Sequence, residues 1–337
     1  MKKVVSYLLI IFLAILIPFT AITGIVLLYP DYYQNSYARS LALQYNYLKE
    51  TQNTQRIVFV GTSSLVFGID VDMIEKEFKN KGYNAVVLFG SYGAIGNECI
   101  LDWTRKYITP GDLVIYMYDM YDYAMNPYFS STLTIEGTFR NYEMFSDLNS
   151  RDKCQYLAHL PTYMKDNIYS YNQAKRPRQY RTCYTITSFD EKGRLTYFRE
   201  SNTMGGINKE EQTICYISPS MINPEWTSYI NDWADELREN RAVVYFSYGP
   251  MDKDLCMHKD TTKESVESFC SEWEEQIGIE SINNMWDCYL PDSYFYDSVY
   301  HLNSYGAQYF TSYMIRNIEM QIYGETNYEI VIPSEIA

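Results

Sequence analysis

The stretch Ile57-Val58-Phe59-Val60-Gly61-Thr62-Ser63-Ser64 decides how this chain is read. Its apolar residues run without alternation and stop at a small-residue turn holding two serines. A continuous apolar run suits a strand buried on both faces, as in parallel sheets covered by helices. Residues 84–88 repeat the form and end at Phe89-Gly90-Ser91-Tyr92-Gly93. Residues 113–118 repeat it again after the turn Pro110-Gly111-Asp112. Helical stretches fall between them, at 71–78 behind the N-cap Asp70 and at about 95–107. Strand, helix, strand, helix, strand reads as βαβ units and a parallel sheet.

The rhythm weakens over about 121–221, which is rich in Tyr, Asn, Ser and charge, with strand-turn-strand character at 188–197. It returns with a helix at 224–240, a buried strand at 242–247 and a helix at 262–276. A last helix at 303–322 is capped by Asn303. The expected organisation is one α/β domain over 56–337 with a large insertion near 121–221. A polar, helical lead-in at 31–55 precedes it.

Residues 1–30 differ in kind. Lys2 and Lys3 precede an apolar run from Val4 to Leu28. At about 1.5 Å per residue this run crosses a hydrocarbon core of about 30 Å. It is longer than the apolar region of a cleaved signal peptide and continues past the small residues Ala21 to Gly24. The reading is an uncleaved signal-anchor, single-pass in the cytoplasmic membrane. The two lysines place the N-terminus inside and the rest of the chain outside the cytoplasm.

Charge narrows the partners. The chain carries −14; without Lys2 and Lys3, 26 basic residues face 42 acidic ones, giving −16. Such a domain repels nucleic acid at long range, so no nucleic-acid partner is expected. The seven cysteines show no metal-ligand spacing, and the expected metal count is none. An odd count leaves at least one thiol unpaired, and disulfides are permitted in an exported domain.

A second stretch, Tyr296-Asp297-Ser298-Val299-Tyr300-His301-Leu302-Asn303, supplies chemistry to pair with the first. Serine hydrolysis needs a nucleophile, a base and an acid to orient the base. The chain has three histidines, His159, His258 and His301, and only His301 stands in such a motif. The candidates are Ser63 as nucleophile, His301 as base and Asp297 as acid, with Asp292 the poorer alternative acid beside Pro291.

From Gly61-Thr62-Ser63-Ser64 onward the chain resembles the SGNH (GDSL-type) hydrolases. In that family the nucleophile sits in the turn after the first parallel strand, matching Ser63. A glycine after the second strand gives an oxyanion N–H, matching Gly90 in Val87-Leu88-Phe89-Gly90. Asp and His precede a terminal helix, matching Asp297 and His301. Residues 294–303 and 242–250 are similar to the membrane-anchored bacterial branch, whose members handle acyl groups on cell-envelope polymers. The resemblance spans about 56–322 with the insertion unmatched, and the order of the blocks carries it. It implies a three-layer α/β/α, flavodoxin-like fold, a Ser63-His301-Asp297 triad, an oxyanion hole from the N–H groups of Ser63 and Gly90, and no cofactor.

Two positions depart from the family. Its third block commonly supplies an asparagine for the oxyanion, where this chain has Asp119; an ionised Asp119 cannot donate a hydrogen bond. Asn97 is a candidate to line the site in its place. The acid–base spacing is Asp-x-x-x-His, one residue longer than usual. The implied activity is an esterase or O-acyltransferase acting on acyl esters of envelope or extracellular glycans. The rival reading, from these departures, is a non-catalytic partner that binds a glycan or a membrane acyltransferase.

Overall fold

The computed structural model of the protein describes residues 2–90, 97–120, 131–205, 222–257 and 260–334. The first element is α1 (Lys2–Leu28), whose stretch Val4–Ile22 is exposed and is long and apolar enough to cross a membrane. The lead-in is helical only from α2 (Ser40–Glu50), preceded by a single tight turn at Tyr37–Arg39. Then follow β1 (Arg56–Gly61), α3 (Ser63–Gly68), α4 (Val71–Phe78), β2 (Ala85–Gly90), α5 (Asn97–Arg105) and β3 (Leu113–Tyr118). The insertion holds α6 (Ser131–Thr138), α7 (Tyr142–Asp147) and α8 (Ser150–Ala174). After it come α9 (Pro224–Glu239), β4 (Val243–Tyr248), β5 (Met251–Asp252), α10 (Lys253–Cys256) and α11 (Lys263–Ile277). The chain closes with β6 (Tyr289–Leu290), β7 (Phe295–Ser298), β8 (His301–Leu302) and α12 (Ser304–Tyr323).

The sheet runs β2-β1-β3-β4, all parallel. Every residue of β1, β2 and β3 is buried, which is why their sequences do not alternate. Beyond β4 the ladder gains one more segment, because Phe246 N bonds Glu280 O and Ile282 N bonds Phe246 O, both at 2.9 Å. That segment escaped the sequence reading because it is too short to show a period.

Register brings the carboxyl ends of the strands level, with Gly61 opposite both Gly90 and Met117. A Cβ on Gly61 would overlap Met117 O, and one on Gly90 would come within 2.8 Å of Gly61 O. The backbones therefore close tightly under the Thr62-Ser63 turn, and only glycine permits it. At the opposite end of β1, the fully buried Arg56 pairs with Asp112 at 2.9 Å. Arg56 also donates to Leu48 O, Tyr107 O and Thr51 Oγ1. Asp112 in turn accepts from Thr109 N at 2.8 Å.

Elsewhere α4 buries Val71, Ile74 and Phe78 at helical spacing, and the expected cap Asp70 accepts from Met73 N. The strand-turn-strand expected at 188–197 reduces to one bridge, Phe189–Leu195, around Gly193 at φ 74°. Cys256 is disulfide-bonded, whereas Cys99, Cys154, Cys183, Cys270 and Cys288 are free thiols.

Candidate active site

Ser63 follows β1 and opens α3, behind Thr62 in an extended conformation. β7 and β8 form a short antiparallel hairpin that delivers Asp297 and His301 to it. His301 Nε2 lies 2.8 Å from Ser63 Oγ, and His301 Nδ1 lies 2.9 Å from Asp297 Oδ1. These distances are hydrogen-bonding ones, so three groups from the two ends of the domain form one line. His159 is exposed on α8, and His258 lies outside the described residues.

The long acid–base spacing has a geometric cause. The hairpin pairs Ser298 with His301 and Phe295 with Leu302, so two extra residues bulge on the first strand. A bulge re-aims side chains, and here Asp297 turns toward the imidazole. Ser298 Oγ accepts from His301 N at 3.1 Å and pins the tight link. Asp292, the alternative acid, bonds Asn202 Nδ2 at 2.7 Å instead.

Three further side chains shape the imidazole, and none was foreseen. Tyr184 OH donates to Asp297 Oδ2 at 2.7 Å and stands 3.3 Å from His301 Nδ1. Phe67 stacks on the ring at 4.0 Å and 12°. Arg199 lies over the Phe67 ring, 5.2 Å from its centroid. It donates to Leu302 O, Phe67 O and Tyr197 O, tying the insertion to the segments that carry Ser63 and His301. Burial pushes its guanidinium down to about 10, against the nearby charge of Asp297 and Asp70, and its bonded partners among the described residues are carbonyl oxygens. Phe67 was findable: it lies four residues after Ser63, one helical turn away. Tyr184 and Arg199 carried no local signal.

Burial alone would raise the Asp297 carboxyl. The hydrogen bond and charge of His301 and the Tyr184 hydroxyl outweigh it and hold Asp297 below the usual carboxylate range. A depressed carboxyl contributes stability that is present above its unfolded value, near pH 4, and lost as pH falls through the folded one. Removing the Tyr184 hydroxyl raises the folded value. Tyr184→Phe is therefore expected to cost about 1.5 kcal/mol at neutral pH. The deficit should vanish in acid, where both proteins have a protonated Asp297. Denaturant melts at neutral and acid pH check this; a deficit that persists in acid would mean the hydroxyl acts on packing instead.

Asp119 follows β3 and is buried beneath the nucleophile turn. Its Oδ2 accepts from Thr62 Oγ1 at 2.6 Å, and Thr62 Oγ1 in turn lies 3.1 Å from Ser64 Oγ beside the same carboxyl. It thus holds Thr62 directly and Ser64 through Thr62, the two residues that flank Ser63. Burial raises its pKa, against the Ser64 and Thr62 hydrogen bonds and the charge of His301. Its Oδ1 has no partner among the described residues and packs by Gly249, whose added Cβ would lie 3.5 Å away.

The Gly90 N–H, expected to face an oxyanion, is engaged. It donates to Gln44 Oε1 at 3.0 Å, while Gln44 Nε2 donates to Gly193 O at 3.1 Å. A glutamine from α2 thereby occupies the donor, a contact across 46 residues. Asn97 begins α5, and its side chain lies outside the described residues. Among the described residues no group of three or more His, Cys, Asp or Glu side chains is placed to hold a metal.

No protein-family model and no curated protein matches the chain. Among solved structures, the crystal structure of protein YXIM_BACsu from Bacillus subtilis is similar at 13% identity and a TM-score of 0.36. The match covers 81% of this chain and 58% of that one, so the chain spans under two thirds of its length. A likeness this distant fixes neither an activity nor a substrate, and what the site does rests on its own geometry.

Proposed function

We propose that this protein is a membrane-anchored serine esterase or O-acyltransferase of the SGNH type, acting on acyl esters of envelope or extracellular glycans. The observation that carries the reading is the unbroken hydrogen-bonded line Ser63–His301–Asp297. A binding-only partner has no need of a serine, an imidazole and a carboxylate in register. Ser63 Oγ attacks the acyl carbonyl while His301 Nε2 takes its proton. Collapse of the tetrahedral intermediate expels the alcohol, which leaves with that proton. Water or a sugar hydroxyl then attacks the acyl-enzyme while Nε2 takes its proton, and collapse releases the acid or the new ester as Nε2 gives that proton back to Ser63 Oγ.

Asp297 orients the imidazole and stabilises its charged form. The Ser63 N–H is the proposed oxyanion donor, and the Gly90 N–H joins it when Gln44 releases it. The parallel sheet with Ser63 at a carboxyl end is compatible with the flavodoxin-like, three-layer arrangement. A signal-anchor reading of α1 is supported by its length and exposure, and the disulfide at Cys256 suits an extracytoplasmic compartment. The 36 tyrosines suit a glycan surface, since aromatic faces stack on sugar rings.

The test is labelling of the full chain in detergent with a fluorophosphonate. Labelling that needs both Ser63 and His301 is the expected result. A folded wild-type protein that takes no label would leave the rival reading, a partner that binds a glycan or a membrane acyltransferase.

A further inference from the structure

The point where the chain leaves α1 is bonded into the folded domain. Arg140 donates to Tyr29 O, and Asn167 Nδ2 donates to Pro30 O at 3.1 Å. Tyr32 N donates to Asn167 Oδ1 and Arg178 N to Tyr32 O, both at 2.7 Å. The ring of Tyr29 stands edge-on to Tyr171 at 6.0 Å. Tyr32 is four residues past Leu28, so its bond to Arg178 lies within about 14 Å of the helix end.

Charge there runs against the rest of the domain. Lys175-Arg176-Pro177-Arg178-Gln179-Tyr180-Arg181 holds four cations in seven residues, and no acidic residue occurs from 167 to 189. Arg140, Lys175, Arg176, Arg178 and Arg181 are all exposed. The last four make no ion pair among the described residues. Nearby acids are accounted for: Asp31 pairs with Arg39, and Glu136 is buried on Tyr180 OH. Asp166 on α8 is an exposed acid in the same stretch of chain. An acidic domain that gathers exposed cations where its apolar helix emerges offers them to a negative surface.

We propose that the rim of Arg140, Lys175, Arg176, Arg178 and Arg181 seats on the anionic phospholipid headgroups of the bilayer that α1 crosses. The inference rests on the membrane reading of α1 and adds a second, electrostatic attachment. The same segment reaches the catalytic acid. Ile186 N bonds Asn35 O at 3.0 Å, and Tyr184, three residues after Arg181, holds Asp297. Seating the rim therefore fixes the height and tilt of the active site above the membrane.

The experiment uses the full chain in nanodiscs of phosphatidylcholine alone or of phosphatidylcholine mixed with phosphatidylglycerol. Arginine modification by phenylglyoxal is followed by peptide mass spectrometry, with the exposed Arg238 on α9 as internal reference. Modification of Arg176, Arg178 and Arg181 should slow about fivefold in the anionic discs, with Arg238 unchanged. High salt should restore the rate. Equal rates in both discs would overturn the rim while leaving the anchor intact. A chain that washes off both discs would overturn the anchor and the rim together, yet leave fluorophosphonate labelling in detergent untouched.

Discussion

Ser63→Ala and His301→Ala are each expected to lower kcat on a small aryl ester by at least about 10⁴-fold. The two residues act as one unit, because the nucleophile is useless without a proton acceptor. The double variant should consequently be no slower than either single one. Ser63 makes its side-chain bond to His301 Nε2 and is 8% exposed, so Ser63→Ala leaves a nearly isosteric, folded protein. His301→Ala also empties the stack on Phe67, so its melting curve must be measured beside its rate. Undiminished turnover in folded Ser63→Ala would sink the mechanism. Multiplicative losses in the double variant would mean the two residues serve separate steps.

The largest expected loss of stability lies at the other end of β1. Arg56→Met should destabilise the domain by about 3–5 kcal/mol, because it strands a buried charge on Asp112. It also removes the donors to Leu48 O and Tyr107 O, carbonyls of the lead-in and of the segment after α5. Arg56→Met combined with Asp112→Leu should recover part of that loss, since removing both charges leaves none unpaired. Urea unfolding with an unchanged slope measures it. The exposed pair Arg238–Asp235, at 3.2 Å, is the contrast: breaking it should cost less than about 1 kcal/mol. Equal effects at the two sites would mean the Arg56 pair is solvated in solution.

Strands 56–61, 85–90 and 113–118 were legible because a strand buried on both faces writes its burial as an unbroken apolar run. The terminal helix was legible from its Asn303 cap, which accepts from Gly306 N at 2.8 Å. Ser63, Asp297 and His301 were legible as candidates because each sits in a short motif at the edge of such an element. What could not be read was pairing over distance. Gln44 on the Gly90 N–H, Tyr184 on Asp297 and Arg199 on Leu302 O each join parts of the chain that no local pattern connects. Tyr184 was one tyrosine among 36. The Asp297–His301 spacing looked like a defect until the hairpin bulge supplied its geometry, because sequence counts residues and not the register they adopt.

The stack of Phe67 on His301 bears on the order of events. In the proposed mechanism, with Nδ1 held by Asp297 and one face covered, the imidazole would not turn over between half-reactions, and Nε2 would serve both proton transfers. By microscopic reversibility, the departing alcohol and the incoming acceptor then use one and the same position. Under that proposal water and a sugar hydroxyl would compete for a single vacancy on the acyl-enzyme. Added alcohol would divert that intermediate from hydrolysis to transesterification without changing the rate at which it forms. On the proposed reading, the balance between esterase and transferase would be a partition ratio set by what fills the vacancy first.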